Sequence, residues 1–245
     1  MIPDWLHLLS ILSLGVAAVS AIWIAIDEAR DPQHMWIMNL VWPLIALSFG
    51  PVAVAVYYAY GKMKAQSRMQ DMDMSGGMDM SDMPQAPYPV MVAKGSSHCG
   101  AGCTLGDILA EWLAFLVPTV AVWFGWKSIF ADKIFAVWIL DFLFAFGIGV
   151  MFQYFTIKPM RGLSVGEGIK AAVKADVLSL TSWQVGMYGF MAIAHFWIFG
   201  QVLGVPLEVP TVEFWFMMQI AMICGFITSY PVNWILISKG IKEKM

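Results

Sequence analysis

Charge is scarce in this chain. Lys and Arg number 14 and Asp and Glu 17 among 245 residues, so 13% is charged while 60% is hydrophobic. A soluble domain carries about a quarter charged residues. Such a composition fits lipid as the main solvent. The basic residues form no stripe of the kind that binds nucleic acid, which excludes that class of partner. Also missing are a nucleophile elbow, a phosphate-binding glycine loop, a zinc-protease motif and a haem-attachment motif. With no nucleotide-binding domain, pumping would need an ion gradient or a partner. No catalytic chemistry is assignable, and a non-enzymatic role is the expectation. Of the four His, only His195 lies well inside an apolar segment. That speaks against a b-type haem and leaves only His–Met ligation open. The first segment lacks a basic leader and a small-x-small cleavage site, so it reads as a retained helix.

What is present is long apolar runs. Segments near 5–26, 36–60, 105–126, 134–157, 182–203 and 212–237 are each long enough to cross about 30 Å of hydrocarbon as a helix. The expected fold is therefore an all-α polytopic membrane bundle of about six transmembrane helices. It divides into an N-terminal helix pair (1–60), a flexible Met-rich loop (61–97) and a four-helix core (98–245). Trp5, Trp23, Trp36, Trp123, Trp126, Trp138, Trp183, Trp215 and Trp234 mark segment ends, as in interfacial belts. Pro43, Pro51 and Pro231 predict kinks or local unwinding. With six crossings, Lys62, Lys64, Arg68, Lys94, Lys158, Arg161, Lys170, Lys174, Lys239, Lys242 and Lys244 share one side. Only Arg30, Lys127 and Lys133 lie on the other. The positive-inside rule then puts both termini and the loop in the cytoplasm, with the chain in the cytoplasmic (inner) membrane. Within 164–180, Ile169, Val173, Val177 and Leu180 recur at helical spacing. They predict a short amphipathic helix, on the inner leaflet or packed on the bundle as a connector.

Two stretches carry candidate chemistry. In "MQDMDMSGGMDMSDMPQ", Met69, Met72, Met74, Met78, Met80 and Met83 are interleaved with Asp, Ser and Gly. Such a stretch cannot form a core. Thioether sulfur is a soft ligand that favours Cu(I), and flexible chain can wrap several sulfurs round one ion. The other reading is a low-complexity linker without a ligand. Further on, "SSHCGAGCTLGDILAEW" places His98, Cys99 and Cys103 at the expected mouth of the third helix. Thr104 would cap that helix. Cys103, Asp107 and Glu111 follow at four-residue spacing and form one polar stripe. Thiolate and imidazole suit Cu(I), and zinc less well, because the spacing matches no zinc knuckle. The carboxylates could bind a harder metal, relay protons or neutralise a passing cation. A disulfide between the two Cys and a packed turn without function are the competing readings.

Deeper in the spans, Asp141 is expected to face the bundle interior, near the side opposite Asp107 and Glu111. Met187, Met191 and His195 share a face, as do Met218 and Met222 with Cys224 nearby. They could form a soft-ligand path across the membrane, although Met also fills helix interfaces well. Gln153, Gln184, Gln219 and Asn233 read as interhelical hydrogen-bond formers.

The stretches "HCGAGCTLGDILAEW", "SWQVGMYG" (Ser182–Gly189) and "YPVNW" (Tyr230–Trp234) together resemble an uncharacterised prokaryotic multi-pass membrane family, a domain of unknown function. The resemblance covers roughly residues 95–245 and implies the membrane fold but no activity. The first functional expectation is soft-metal handling, Cu(I) above all, by binding, transport or delivery. A second is a non-catalytic accessory or assembly subunit of a larger membrane complex, respiratory or copper-dependent, or a homo-oligomer. A weaker third is a membrane thiol oxidoreductase using Cys99 and Cys103.

Overall fold

The structure is a computed structural model, and it describes residues 1–62 and 86–243. The Met-rich stretch, with Met69, Met72, Met74, Met78, Met80 and Met83, lies outside the described residues. The described chain is helical throughout: α1 (Asp4–Arg30), α2 (Met38–Phe49), α3 (Pro51–Val56), α4 (Tyr88–Leu116), α5 (Thr119–Trp123), α6 (Lys133–Arg161), α7 (Val165–Ala192) and α8 (Val212–Ser238). The last turn after α3 (Tyr57–Gly61) and the continuation of α7 (Ile193–Leu203) are π-helical. Five helices are long and apolar enough to span a bilayer: α1, α4, α6, α7 with its continuation, and α8. This is the all-α polytopic bundle that the composition demands.

Helix ends follow local chemistry. Ser164 and Glu167 form a capping box that starts α7, and the Thr211 hydroxyl accepts from the Phe214 amide to start α8. Gly162, in the left-handed region at φ 60°, ends α6. Contacts along the helices fix their directions. Lys133 Nζ donates to Ala114 O (2.8 Å), and Thr156 Oγ1 meets His98 Nε2 (3.1 Å), so α4 and α6 are antiparallel. The Tyr188 hydroxyl donates to Trp138 O, and Asn233 to Ser179 Oγ, so α6, α7 and α8 alternate. α1 runs parallel to α8: His7 Nδ1 lies 2.6 Å from Glu213 Oε1, and Ser13 donates to Gln219 Oε1.

Residues 36–61 fold back on themselves. α2 ends at Gly50, whose φ of 52° belongs to the left-handed region, and α3 starts at once with Pro51. The Trp42 ring meets the Tyr57 ring edge-on at 5.5 Å, and a Cβ on Gly61 would stand 2.8 Å from Trp42. The two arms are therefore antiparallel. The turn abuts Ala17, at the middle of α1, while Tyr57 and Lys62 both donate to Asp27 near its end. So the segment goes in from one end of the bundle, turns at mid-depth beside Gly50 and returns to the same end. Backbone that breaks helix at this depth is tolerated because it is buried in protein.

This changes the expected topology. The segment 36–60 makes no crossing. The chain has two ends that can be named by what they gather. The linker end holds Asp27, Lys62, Tyr88, Arg161 and Ser238. The far end holds Met1, whose amino group donates to Leu203 O, together with Leu116, Lys133 and Val212. The expectation of both termini on one side rests on six crossings. With five, Met1 and Lys242 lie at opposite ends. Two further expectations are corrected. The third span begins at Tyr88 rather than near residue 105, so Thr104 is no cap and its hydroxyl bonds Gly100 O within the helix (2.9 Å). The stretch 164–180 is the first half of the long α7, with Asp176, Ser179 and Leu180 buried against the bundle.

Candidate functional site

α4 carries the site. It is rich in Gly and Ser between 95 and 106, a poor composition for a helix in water. The small residues let it sit at the bundle centre. A Cβ on Gly102 would lie 2.9 Å from Gly149 Cα, and one on Gly106 would lie 2.5 Å from Ala145 N. Gly100 is overlaid by the Trp183 ring. Small residues four apart that bring two membrane helices into backbone contact are a common packing device.

Gly95, Cys99, Cys103, Asp107 and Glu111 recur every four residues on this buried helix, so they line one face. Cys99 and Asp107 are fully buried, and Glu111 is 6% exposed. From Cys99 to Glu111 the stripe covers about 18 Å of helix rise.

At the linker end the stripe meets a dense polar cluster. The Cys99 thiol donates to Asp176 Oδ1 at 2.7 Å and lies 3.0 Å from Ser179 Oγ. Lys242 Nζ donates to Cys99 Sγ (3.0 Å), Gly95 O (2.8 Å), Ser179 Oγ (3.2 Å) and Asn233 Oδ1 (2.7 Å). Gln153 Nε2 approaches the same sulfur at 3.8 Å. The second Asp176 oxygen makes no hydrogen bond of good geometry among the described residues, with the Gln153 amide near the carboxylate, and it lies against Gly149, where a larger residue would collide with it. Ammonium and carboxylate thus sit on either side of one thiol, a balanced arrangement where a lone buried charge would be very costly.

At the other end of the stripe, Asp107 and Glu111 on α4 bracket Asp141 on α6. The register that pairs Gly106 with Ala145 puts Asp141 level with them. Each stands within charge–charge reach of another, and Lys133 reaches Glu111 from the rim. The Gln184 amide stands beside Asp107, but among the described residues neither it nor the Asp107 oxygens nor one Asp141 oxygen, all buried, makes a hydrogen bond of good geometry. This corrects the expectation that Asp141 lies on the side opposite the α4 carboxylates. Because α4 starts so early, they come together.

The structure separates His98 from the thiols. Its ring turns to Thr156 on α6 and packs against Phe152, while the next residue, Cys99, faces α7. Cys103 shares a buried cluster with Met187, Met191, Met218 and Met222, and Met222 Sδ lies 4.0 Å from the Thr104 hydroxyl. His195 is half-buried in the π-helical continuation beside Phe196, and Cys224 is a half-buried free thiol on α8. All three Cys are free. Among the described residues no three His, Cys, Asp or Glu side chains converge on one point. Sequence reasoning singles out none of Asp176, Ser179, Asn233 and Lys242 as a ligand. Asp176 has no reading there, and Lys242 counts only among the basic residues that set orientation.

No curated protein matches the chain, and no solved structure does. A family model does match, over residues 90–242, from the first turns of α4 to the buried lysine at the C-terminus. The chain belongs to the family described as Domain of unknown function (DUF4396).

Proposed function

We propose that this protein moves a soft monovalent cation, Cu(I) first among them, through the bundle along the α4 stripe. The observation that carries the reading is the stripe itself. Two thiols and two carboxylates, aligned on one face of a spanning helix, are buried at the bundle centre rather than turned to lipid or water. Ionisable groups held at membrane depth mark ion pathways. The order of donors fits a soft cargo: thiol at Cys99, then thiol with thioethers around Cys103, then carboxylates at Asp107, Glu111 and Asp141. Soft ligands select Cu(I), and the carboxylates carry the charge onward. Cu(I) is satisfied by two or three sulfur ligands, so no larger cluster of donors is required. The Met-rich stretch ends just before α4 and so leads to the thiol end.

The linker end carries Arg30, Lys62, Lys94, Lys158, Arg161, Lys170, Lys174, Lys239 and Lys242, against Lys127 and Lys133 at the far end. By the positive-inside rule the linker end faces the cytoplasm and the N-terminus the opposite side of the inner membrane. Transport then runs from the thiols to the carboxylates, outward.

The test is Cu(I) loading of the detergent-purified chain under reducing conditions, with metal measured by mass spectrometry, beside Cys99→Ser/Cys103→Ser and a deletion of 66–85. Stoichiometric copper lost in the double Ser variant is the expected result. Equal copper in that variant overturns the assignment. Absence of metal from every sample, with stable co-purification of other membrane subunits, would replace transport by an accessory role.

A further inference from the structure

We infer that Lys242 is a tethered occupant of a cation site, and that a cation entering the stripe must displace its ammonium from Cys99, Gly95, Ser179 and Asn233. The inference rests on the transport reading and says how its entrance is closed.

The first argument is coordination. The Lys242 side chain is buried (2% exposed), yet among the described residues its ammonium makes no direct ion pair with a carboxylate. Its four acceptors are a carbonyl and a thiol of α4, a hydroxyl of α7 and an amide oxygen of α8, at 2.7–3.2 Å. Neutral acceptors from three helices converge on one positive charge, so the position is built to hold a monovalent cation, and of the four it is the Cys99 sulfur that a soft ion would take from the ammonium. The compensating charge stands one atom further, on Asp176 across the thiol.

The second argument is the tether. The other residues of the cage belong to spanning helices. Lys242 belongs to a short tail beyond α8. That tail turns at Gly240 (φ 66°) and is held by the Ile241 and Lys242 amides donating to Leu236 O and by the surface ion pair of Arg161 with Glu243. An exposed ion pair contributes little, about 0–1 kcal/mol. The long side chain can withdraw to water at the interface once its acceptors are taken. Cu(I) binds the thiolate, so the Cys99 proton must leave the sulfur. Passed to Asp176, which already accepts it, it stays in the site, and exchange of the ammonium for Cu(I) then leaves the net charge unchanged.

The third argument is position. The sulfur that Lys242 covers is the first on the stripe from the linker end, and Cys103 and Asp107 follow at one-turn intervals. Nothing can pass from that end to Cys103 along this face while the ammonium stays.

The experiment compares Cu(I) affinity, by competition with a chromophoric chelator, in the full chain and in Lys242→Met, Arg161→Ala and the charge-balanced Asp176→Asn/Lys242→Met. Removing the competing ammonium should tighten binding about tenfold or more in Lys242→Met. Arg161→Ala, which leaves the cage intact and only loosens the tail, should tighten it by a smaller factor. The double variant guards against misfolding from an unbalanced Asp176 and should bind at least as tightly as the natural chain. Hydrogen exchange at residues 236–243 should rise when Ag(I) is added. Thiol-dependent binding in the natural chain with no gain in any variant, or a tail that stays protected with Ag(I) bound, overturns this inference and leaves the transport reading standing. No Cu(I) bound by any of the four proteins overturns the transport reading, and the inference with it.

Discussion

Gly102 of α4 and Gly149 of α6 meet backbone to backbone, so close that a Cβ on Gly102 would stand 2.9 Å from Gly149 Cα. The contact sets two things at once. It fixes the depth of α4, and it opens the space that Asp176 fills from α7, since the second Asp176 oxygen lies over Gly149. Gly149→Ala should therefore push the carboxylate off Cys99 as well as strain the helix pair. Overpacking of this kind costs about 1–3 kcal/mol. A lowered unfolding temperature in detergent, together with Cys99 made newly reactive to maleimide, is the expected result. An unchanged melting curve would mean that the α4–α6 contact is looser than described.

The folded-back segment makes a topological prediction. Reporter fusions at the two ends of the chain should report opposite sides of the membrane, with the C-terminus cytoplasmic. Single Cys at the exposed His34 and at Ala86 should label from the same side as the C-terminus, because 36–61 enters and leaves at one end. Termini on the same side would show that the segment crosses and that Gly50 opens out.

Much of this is legible in the sequence, and the failures have physical causes. The apolar runs mark the spans because length and hydropathy suffice to satisfy a bilayer. The folded-back segment reads as a crossing because it has the length of a span. Its break, Gly50–Pro51, stands at the middle, where the chain needs a left-handed residue and a helix start. The start of α4 escapes a sequence reading because Gly and Ser at 95–102 suggest a loop. Yet Gly102 and Gly106 are four apart, and that spacing is the available sign of a packed membrane helix. The Cys–Asp–Glu stripe is readable from spacing alone. Its partners are not, because Asp176 and Lys242 reach Cys99 from 77 and 143 residues away in sequence.

The carboxylate end of the stripe separates stability from transport. Burying three negative charges within reach of one another is very costly unless each is balanced by a proton or a cation. Asp107→Asn keeps the shape and removes one charge, so the fold should be as stable as before or slightly more so. Ag(I) uptake into proteoliposomes should nevertheless fall at least about tenfold, because a neutral amide no longer attracts the cation. Asp141→Asn should behave alike, since Asp141 stands between the levels of Asp107 and Glu111 across the helix pair. Uptake equal to that of the natural chain in both variants would remove the carboxylates from the path and confine the site to the thiols.

His98 and Cys99 are adjacent in sequence, and by spacing alone they read as one metal site. On a helix, neighbours are separated by about 100° of rotation. His98 turns to Thr156 and Phe152, buried, with its Nε2 3.1 Å from the Thr156 hydroxyl and its Nδ1 without a partner. Cys99 turns to Asp176 and Lys242. The two variants should therefore separate cleanly. His98→Ala leaves a void and takes one hydrogen bond from Thr156, whose hydroxyl keeps its bond to Phe152 O, so the loss is mainly that of buried volume and should destabilise the chain by about 2–4 kcal/mol. Bound Cu(I) per folded molecule should stay at the level of the natural chain. Cys99→Ser should do the reverse, with little change in unfolding temperature and loss of bound metal. Loss of copper in His98→Ala, at a temperature where the variant is still folded, would restore the imidazole to the site and require α4 to rotate on metal binding.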